Sequence, residues 1–61
     1  MELKIGTSVT DVKYGKGQVV SIKDKALNKY NVVILFEKKN IKVNFNELGF
    51  RQGLNTPITI N

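Results

Sequence analysis

Apolar residues in this chain alternate with polar ones or form short runs bounded by glycine and asparagine, which is the pattern of β-strands. The strongest segment is Tyr30–Glu37, where alternate residues from Tyr30 to Phe36 share one face and Val33 and Leu35 occupy the other. Because this segment is apolar on both faces, we expect it to be a central strand.

Three further strands are predicted, at Ser8–Val12, Gln18–Lys23 and 41–46, and in the last of these polar side chains alternate cleanly with apolar ones. Their apolar side chains should meet those of the central strand in one core. The residues expected there are Val9, Val19, Val20, Ile22, Tyr30, Phe36, Ile41, Val43 and Phe45, with Val12 as a further candidate.

Glycine and asparagine mark the turns between these strands. Gly15 and Gly17 suit a tight reversal, because glycine adopts positive φ without strain. Asp24–Lys29 predicts a longer, solvated hairpin loop, and the segment 37–40 has the composition of a tight turn, the third along the chain. Asn46-Glu47-Leu48 predicts a single 3₁₀ or α turn, capped by Asn46, with Leu48 as a plug for the open end of the barrel.

The last part of the chain, residues 50–61, contains one β-prone stretch, Ile58–Ile60, directly after Pro57. We expect this part to be a tail or an edge strand beside the first strand. The sequence therefore predicts one all-β domain over residues 1–61, a small barrel of four to five antiparallel strands with one helical turn near 46–48.

The length and composition limit how such a domain is stabilised. A chain of 61 residues has room for one core, and without cysteine or histidine it has neither disulfides nor the usual zinc ligands. No segment approaches the roughly 18 apolar residues of a membrane span, and Met1–Thr7 lacks the apolar region of a signal peptide. We therefore expect a cytoplasmic protein that is held together by packing and binds no cofactor.

The residue types that catalysis requires are scarce. The five acidic residues are scattered over loops and ends, and we expect all of them to be solvated charges: Glu2, Asp11, Asp24, Glu37 and Glu47. Ser8 and Ser21 have no histidine to activate them. No phosphate-binding Gly-x-x-x-x-Gly-Lys-Ser/Thr motif occurs either. The sequence thus predicts a protein that is not an enzyme and has no small-molecule substrate.

Ten Lys and Arg residues against five Asp and Glu give the chain a formal net charge of +5, which favours an acidic partner. In an antiparallel meander alternate turns lie at the same end, so the first turn should neighbour the third. The candidate binding residues there are Lys13, Tyr14, Lys16, Lys38 and Lys39, with Lys42 on the following strand. These side chains suit phosphate or an acidic protein loop; alternatively, they are solvated charges that prevent strand edges from pairing. Tyr14 suits base stacking or, alternatively, packing on the barrel.

The spacing of several short motifs carries a family resemblance. Gly6 and Val9 precede the aromatic-Gly-x-Gly motif Tyr14-Gly15-Lys16-Gly17, and Val19-Val20-Ser21-Ile22, Ile34-Leu35-Phe36, Lys42 and Leu48 come after it. This order resembles the C-terminal Tudor-like domain of UvrD/PcrA-type helicases, and similar barrels occur in transcription-coupling factors and CarD-like regulators. At Asp11, which we expect to face the surface, the family often has histidine, and at Lys39-Asn40 it often has glycine.

The resemblance implies an SH3-like or Tudor-like barrel whose relatives dock on RNA polymerase, with some contact to nucleic acid. Two hypotheses for function result. The first is a protein-docking module, monomeric by default, that acts as a small accessory regulator of RNA polymerase or a related machine. The alternative is a direct nucleic-acid binder that uses the basic loop surface.

Overall fold

The computed structural model describes residues 3–53 and 57–61, so the expectation for Glu2 lies outside the described residues. Five strands and no helix are present in this part of the chain, and all paired strands are antiparallel. In chain order they are β1 (Ser8–Asp11), β2 (Gly15–Ile22), β3 (Val32–Phe36), β4 (Ile41–Phe45) and β5 (Thr59–Ile60). Their order in the sheet is β4-β3-β2-β1-β5. The predicted all-β fold is confirmed.

The sheet curls into a small barrel because the segment after β4 turns back between the two outer strands. Arg51 forms an antiparallel bridge with Phe45 of β4, and Phe50 forms one with Pro57, just before β5. The backbone N–H of Ile58 also donates to the carbonyl of Gly49 at 2.6 Å. The expected edge strand is confirmed because β5 pairs with β1. Hydrogen bonds of residues 49–52 then link β4 to the residues just before β5.

The core lies inside this barrel and draws on four of the strands and on the residue before β5. Its two phenylalanine rings, Phe36 and Phe45, are fully buried and their centroids lie 6.1 Å apart. The buried core residues are Val9, Val19, Val32, Ile34, Phe36, Phe45 and Ile58.

Several residues expected in the core lie elsewhere. Of the three apolar candidates on β2 only Val19 is buried, because side chains alternate regularly along this strand and Val20 and Ile22 both point to the outer face, where they are exposed. Val12 is 80% exposed, since β1 ends one residue earlier. Tyr30 precedes β3 and is only half-buried.

Leu48 does not close the barrel, which corrects a second expectation. The side-chain oxygen of Asn46 accepts hydrogen bonds from the backbone N–H groups of Leu48 and Phe50, and Gly49 donates to the Asn46 carbonyl. The predicted 3₁₀ or α turn is thus not formed; a hydrogen-bonded turn takes its place, in which Asn46 accepts hydrogen bonds from the backbone N–H groups as expected of the cap. Leu48 lies at its tip and is 76% exposed, while Ile58 is packed against Gly49 and completes the core.

The two glycines of the aromatic-Gly-x-Gly motif have different roles. Gly15 has a φ of 79° in the turn between β1 and β2. Gly17 lies opposite Val9 on the core side of β2, where a Cβ would lie 2.6 Å from Cδ1 of Phe36 and 2.9 Å from Cγ2 of Ile34. Only glycine lets Phe36 pack directly against the β2 backbone.

Replacing Gly17 with alanine should lower the free energy of unfolding by about 2–3 kcal/mol, because the added methyl overlaps two fully buried side chains. Urea denaturation would measure the change. Gln18→Ala is the matched control, since Gln18 is the exposed neighbour and should shift the value by less than about 0.5 kcal/mol. Equal stability of the two variants would show that Phe36 does not occupy this position.

Candidate functional site

Asp11, the last residue of β1, organises the first turn. Its Oδ2 accepts hydrogen bonds from the backbone N–H groups of Lys13 and Tyr14, both at 3.1 Å, and from Nη1 of Arg51 at 3.2 Å. Asp11 is 2% exposed, so the expectation of a solvated, surface-facing carboxylate was wrong. Two amides and a guanidinium replace water at Oδ2, which offsets part of the cost of burying the charge, while Oδ1 is buried without a partner among the described residues.

Tyr14 lies between the core and a group of cations. Its ring centroid is 5.1 Å from that of Phe36, with the planes inclined at 35°, and the ring is half-buried. Cζ of Arg51 lies 5.3 Å from the same centroid, and the Nζ atoms of Lys13 and Lys39 lie at 5.4 and 5.8 Å. Tyr14 therefore packs on the barrel, which was one of its two expected roles. The same ring also makes cation–π contacts.

An open depression of about 390 Å³ adjoins this ring. The backbone N–H of Gln52 donates to the carbonyl of Asn44 at 3.2 Å, so the segment after β4 forms one wall beside that strand. The lining residues are Lys13, Tyr14, Lys42, Val43, Asn44, Arg51 and Gln52. We call Tyr14 and its surrounding cations, Lys13, Lys39, Lys42 and Arg51, the basic surface.

The structure brings together four of the six residues expected to bind a partner, namely Lys13, Tyr14, Lys39 and Lys42. Lys16 borders a different depression, together with Glu37. Lys38 is exposed in the turn that contains Lys39, and within the described residues it makes no contact with the Tyr14 ring.

Arg51 is a site residue that sequence reasoning missed, since it lay in the expected tail. The chain has a single arginine among nine lysines, and arginine is the cation best suited to a buried ion pair. The sequence could have indicated this residue in two ways: Arg51 is the single arginine, and Asp11 stands at the end of a predicted strand. The pairing itself joins residues 40 positions apart, which no local pattern indicates.

The basic surface carries more positive charge than the fold balances. Two ion pairs occur within residues 3–53 and 57–61, Asp11 with Arg51 and Lys25 with Glu47. Asp11 therefore offsets one of four cations, and Lys13, Lys39 and Lys42 have no acidic partner among the described residues. An anionic ligand would relieve their mutual repulsion, whereas a quaternary ammonium such as methyl-lysine would be repelled.

Neither a metal cluster nor a membrane-spanning helix is present in the described part of the chain. It contains no group of three or more acidic, histidine or cysteine residues that could hold a metal ion. Nor does it contain a helix long and apolar enough to cross a membrane.

Comparison with known proteins found no matching family model, no matching curated protein and no matching solved structure. A small all-β barrel does not by itself identify a Tudor-like domain, so the family resemblance stays a prediction. The strongest indication of function in this chain is therefore the geometry of the basic surface.

Asp11→Asn should destabilise the protein by about 3 kcal/mol, because the amide keeps an acceptor for the turn but leaves the Arg51 charge buried without its counter-charge. Asp11→Ala should cost still more, since the N–H groups of Lys13 and Tyr14 also lose their acceptor. Thermal unfolding followed by circular dichroism would rank the variants.

Asp24→Asn is the matched control for this series. Asp24 is exposed and accepts a hydrogen bond from the backbone N–H of Ala26, a role that asparagine keeps. This variant should unfold within a degree or two of the wild type. If Asp11→Asn unfolds with it, the buried ion pair has no energetic role.

Proposed function

We propose that this chain is a non-catalytic docking domain that binds an acidic segment of a protein partner through the basic surface. The observation that carries the proposal is the arrangement of three cations around one half-buried ring, with Lys42 in the adjoining depression and a single carboxylate among the four. Such an unbalanced cluster attracts anions from a distance and favours partners of complementary charge.

The surroundings of Tyr14 favour a protein over a single-stranded nucleic acid. Proteins that bind single strands use open aromatic rings on which bases stack. Here Phe36, Arg51 and two lysine ammonium groups all lie within 6 Å of the ring centroid. The ring is therefore better placed to hold the cations in position than to receive a base.

Val43 adds an apolar contact to the same depression. It is half-buried on β4, packs against the core and lines the depression together with Lys42. An interface that combines an apolar contact with flanking charges is typical of protein–protein recognition. Carboxylates on flexible side chains would reach the lysines from a segment that packs over Val43.

The resemblance to helicase Tudor-like domains extends the proposal to the partner. It suggests RNA polymerase or a related nucleic-acid machine in the cytoplasm, with this chain acting as a monomeric accessory regulator. The absence of catalysis belongs to the same proposal: the chain has no histidine or cysteine, and Asp11 is already committed to Arg51.

Direct binding of nucleic acid is the second candidate, and the formal net charge of +5 favours it. Contacts of about four lysines with duplex phosphates would make log K fall against log[salt] with a slope of roughly −3 to −4. Docking on a protein through mixed apolar and charged contacts would give a shallower dependence. Titrations with duplex DNA between about 50 and 300 mM salt distinguish the two.

The docking proposal predicts that a defined protein complex is retained on the immobilised chain from nuclease-treated lysate, with RNA polymerase subunits expected by mass spectrometry. The double variant Lys39→Glu/Lys42→Glu should lose this complex, because it reverses two charges of the basic surface. Its matched control is Lys23→Glu/Lys29→Glu, which makes the same change of net charge on two lysines that do not line the depression.

The control variant should retain the complex. If every bound protein disappears on nuclease treatment, the basic surface is a nucleic-acid surface and the docking proposal is wrong. If both double variants lose the complex equally, binding depends only on net charge and the basic surface is not the binding site.

A further inference from the structure

We infer that the depression beside Tyr14 is a binding site for one phosphate monoester, carried by a phosphorylated side chain of the partner. This inference rests on the proposed function, since it names the group that the basic surface receives. The depression holds about 390 Å³, with Arg51 in its wall and Lys13 and Lys42 also lining it. The volume easily accommodates a phosphoryl group with the end of the side chain that bears it.

The charge of the lining matches a dianion. Three cations line the depression, Lys13, Lys42 and Arg51, and Asp11 neutralises one of them. A phosphorylated side chain carries a charge of about −1.5 to −2 at pH 7. A carboxylate or a phosphodiester carries a single negative charge and would leave the lining positive, so the charge balance favours the monoester.

Arg51 is prepared for this role before any ligand arrives. It is 7% exposed, and its Nη1 is fixed by Asp11 at 3.2 Å, so little side-chain freedom is lost on binding. Its Nε is buried and has no hydrogen-bond acceptor among the described residues. An oxyanion in the depression would reach this Nε only if the guanidinium turned, whereas the positive charge of Arg51 attracts an oxyanion without such movement.

Two neutral residues also line the depression, Asn44 on β4 and Gln52 in the segment after it. The side-chain amide of Asn44 already donates to the Tyr30 carbonyl at 3.2 Å, whereas Gln52 is exposed. Amide N–H groups bind phosphate oxygens without adding charge. The Gln52 amide can therefore add a neutral donor beside the three lining cations.

The direct test is a titration monitored by amide NMR signals with four probes: inorganic phosphate, dimethyl phosphate, an acidic peptide with one phosphoserine, and the same peptide with serine. Inorganic phosphate should shift the signals of residues 42–44 and 51–52 and dimethyl phosphate should not. The phosphopeptide should bind at least about tenfold more tightly than the serine peptide. Equal affinity of the two peptides would overturn the inference.

Variants locate the effect in the depression. Lys13→Gln/Lys42→Gln should weaken phosphopeptide binding by roughly tenfold or more, because it removes two of the three lining cations. The control, Lys23→Gln/Lys29→Gln, should bind within about twofold of the wild type. Both leave the Asp11–Arg51 pair intact, so folding is preserved. Equal loss in the two variants would contradict the assigned site.

Two further arms separate this inference from the docking proposal. If phosphatase treatment of the lysate leaves partner capture unchanged, docking stands and the phosphate inference is wrong. If phosphate and phosphopeptide bind as expected but no protein is retained after nuclease treatment, the phosphate site stands and docking fails. An oligonucleotide with a 5′-phosphate that binds as tightly as the phosphopeptide would overturn the protein source of the phosphate.

Discussion

The buried ion pair between Asp11 and Arg51 is the constraint on which the rest of this structure depends. It joins the end of β1 to the segment that closes the barrel, 40 residues later, in a chain that has no disulfide. Desolvation of two charges offsets much of their attraction, so such a pair adds little net stability. We interpret it as a device that fixes where the closing segment lies, because any other register would leave both charges buried and unpaired.

The same pair connects the fold to the basic surface. Asp11 holds the turn that presents Lys13 and Tyr14, and it also holds the guanidinium that lies beside the Tyr14 ring. Because Tyr14 also packs on the buried Phe36, the cations meet at a rigid ring. Rigidity matters for binding, since side chains that are already ordered lose less entropy when a partner arrives.

Local patterns predicted most of the fold, while contacts between distant residues decided what could not be predicted. Alternation and turn residues are local, so the strands emerged with small errors at their ends, and Asn40 has the left-handed φ of 51° that its turn requires. Leu48 and Ile58 are equally apolar, and which of them enters the core depends on how residues 49–52 return to the sheet. Arg51 was missed in the basic surface for the same reason, because its position depends on a contact with Asp11, 40 residues earlier in the chain.

The two glycines of the Tyr14–Gly17 motif, which carries much of the family resemblance, have structural roles. Gly15 has the positive φ of the turn and Gly17 admits Phe36 against the backbone, so both serve the barrel whatever it binds. A resemblance carried by the Tyr14–Gly17 motif therefore speaks to the fold more than to the partner. Under the docking proposal, selectivity for a partner would depend on charges outside the two glycines, and Lys42 and Arg51 lie in the lining of the same depression. The identity of the partner therefore depends on experiment more than on the motif.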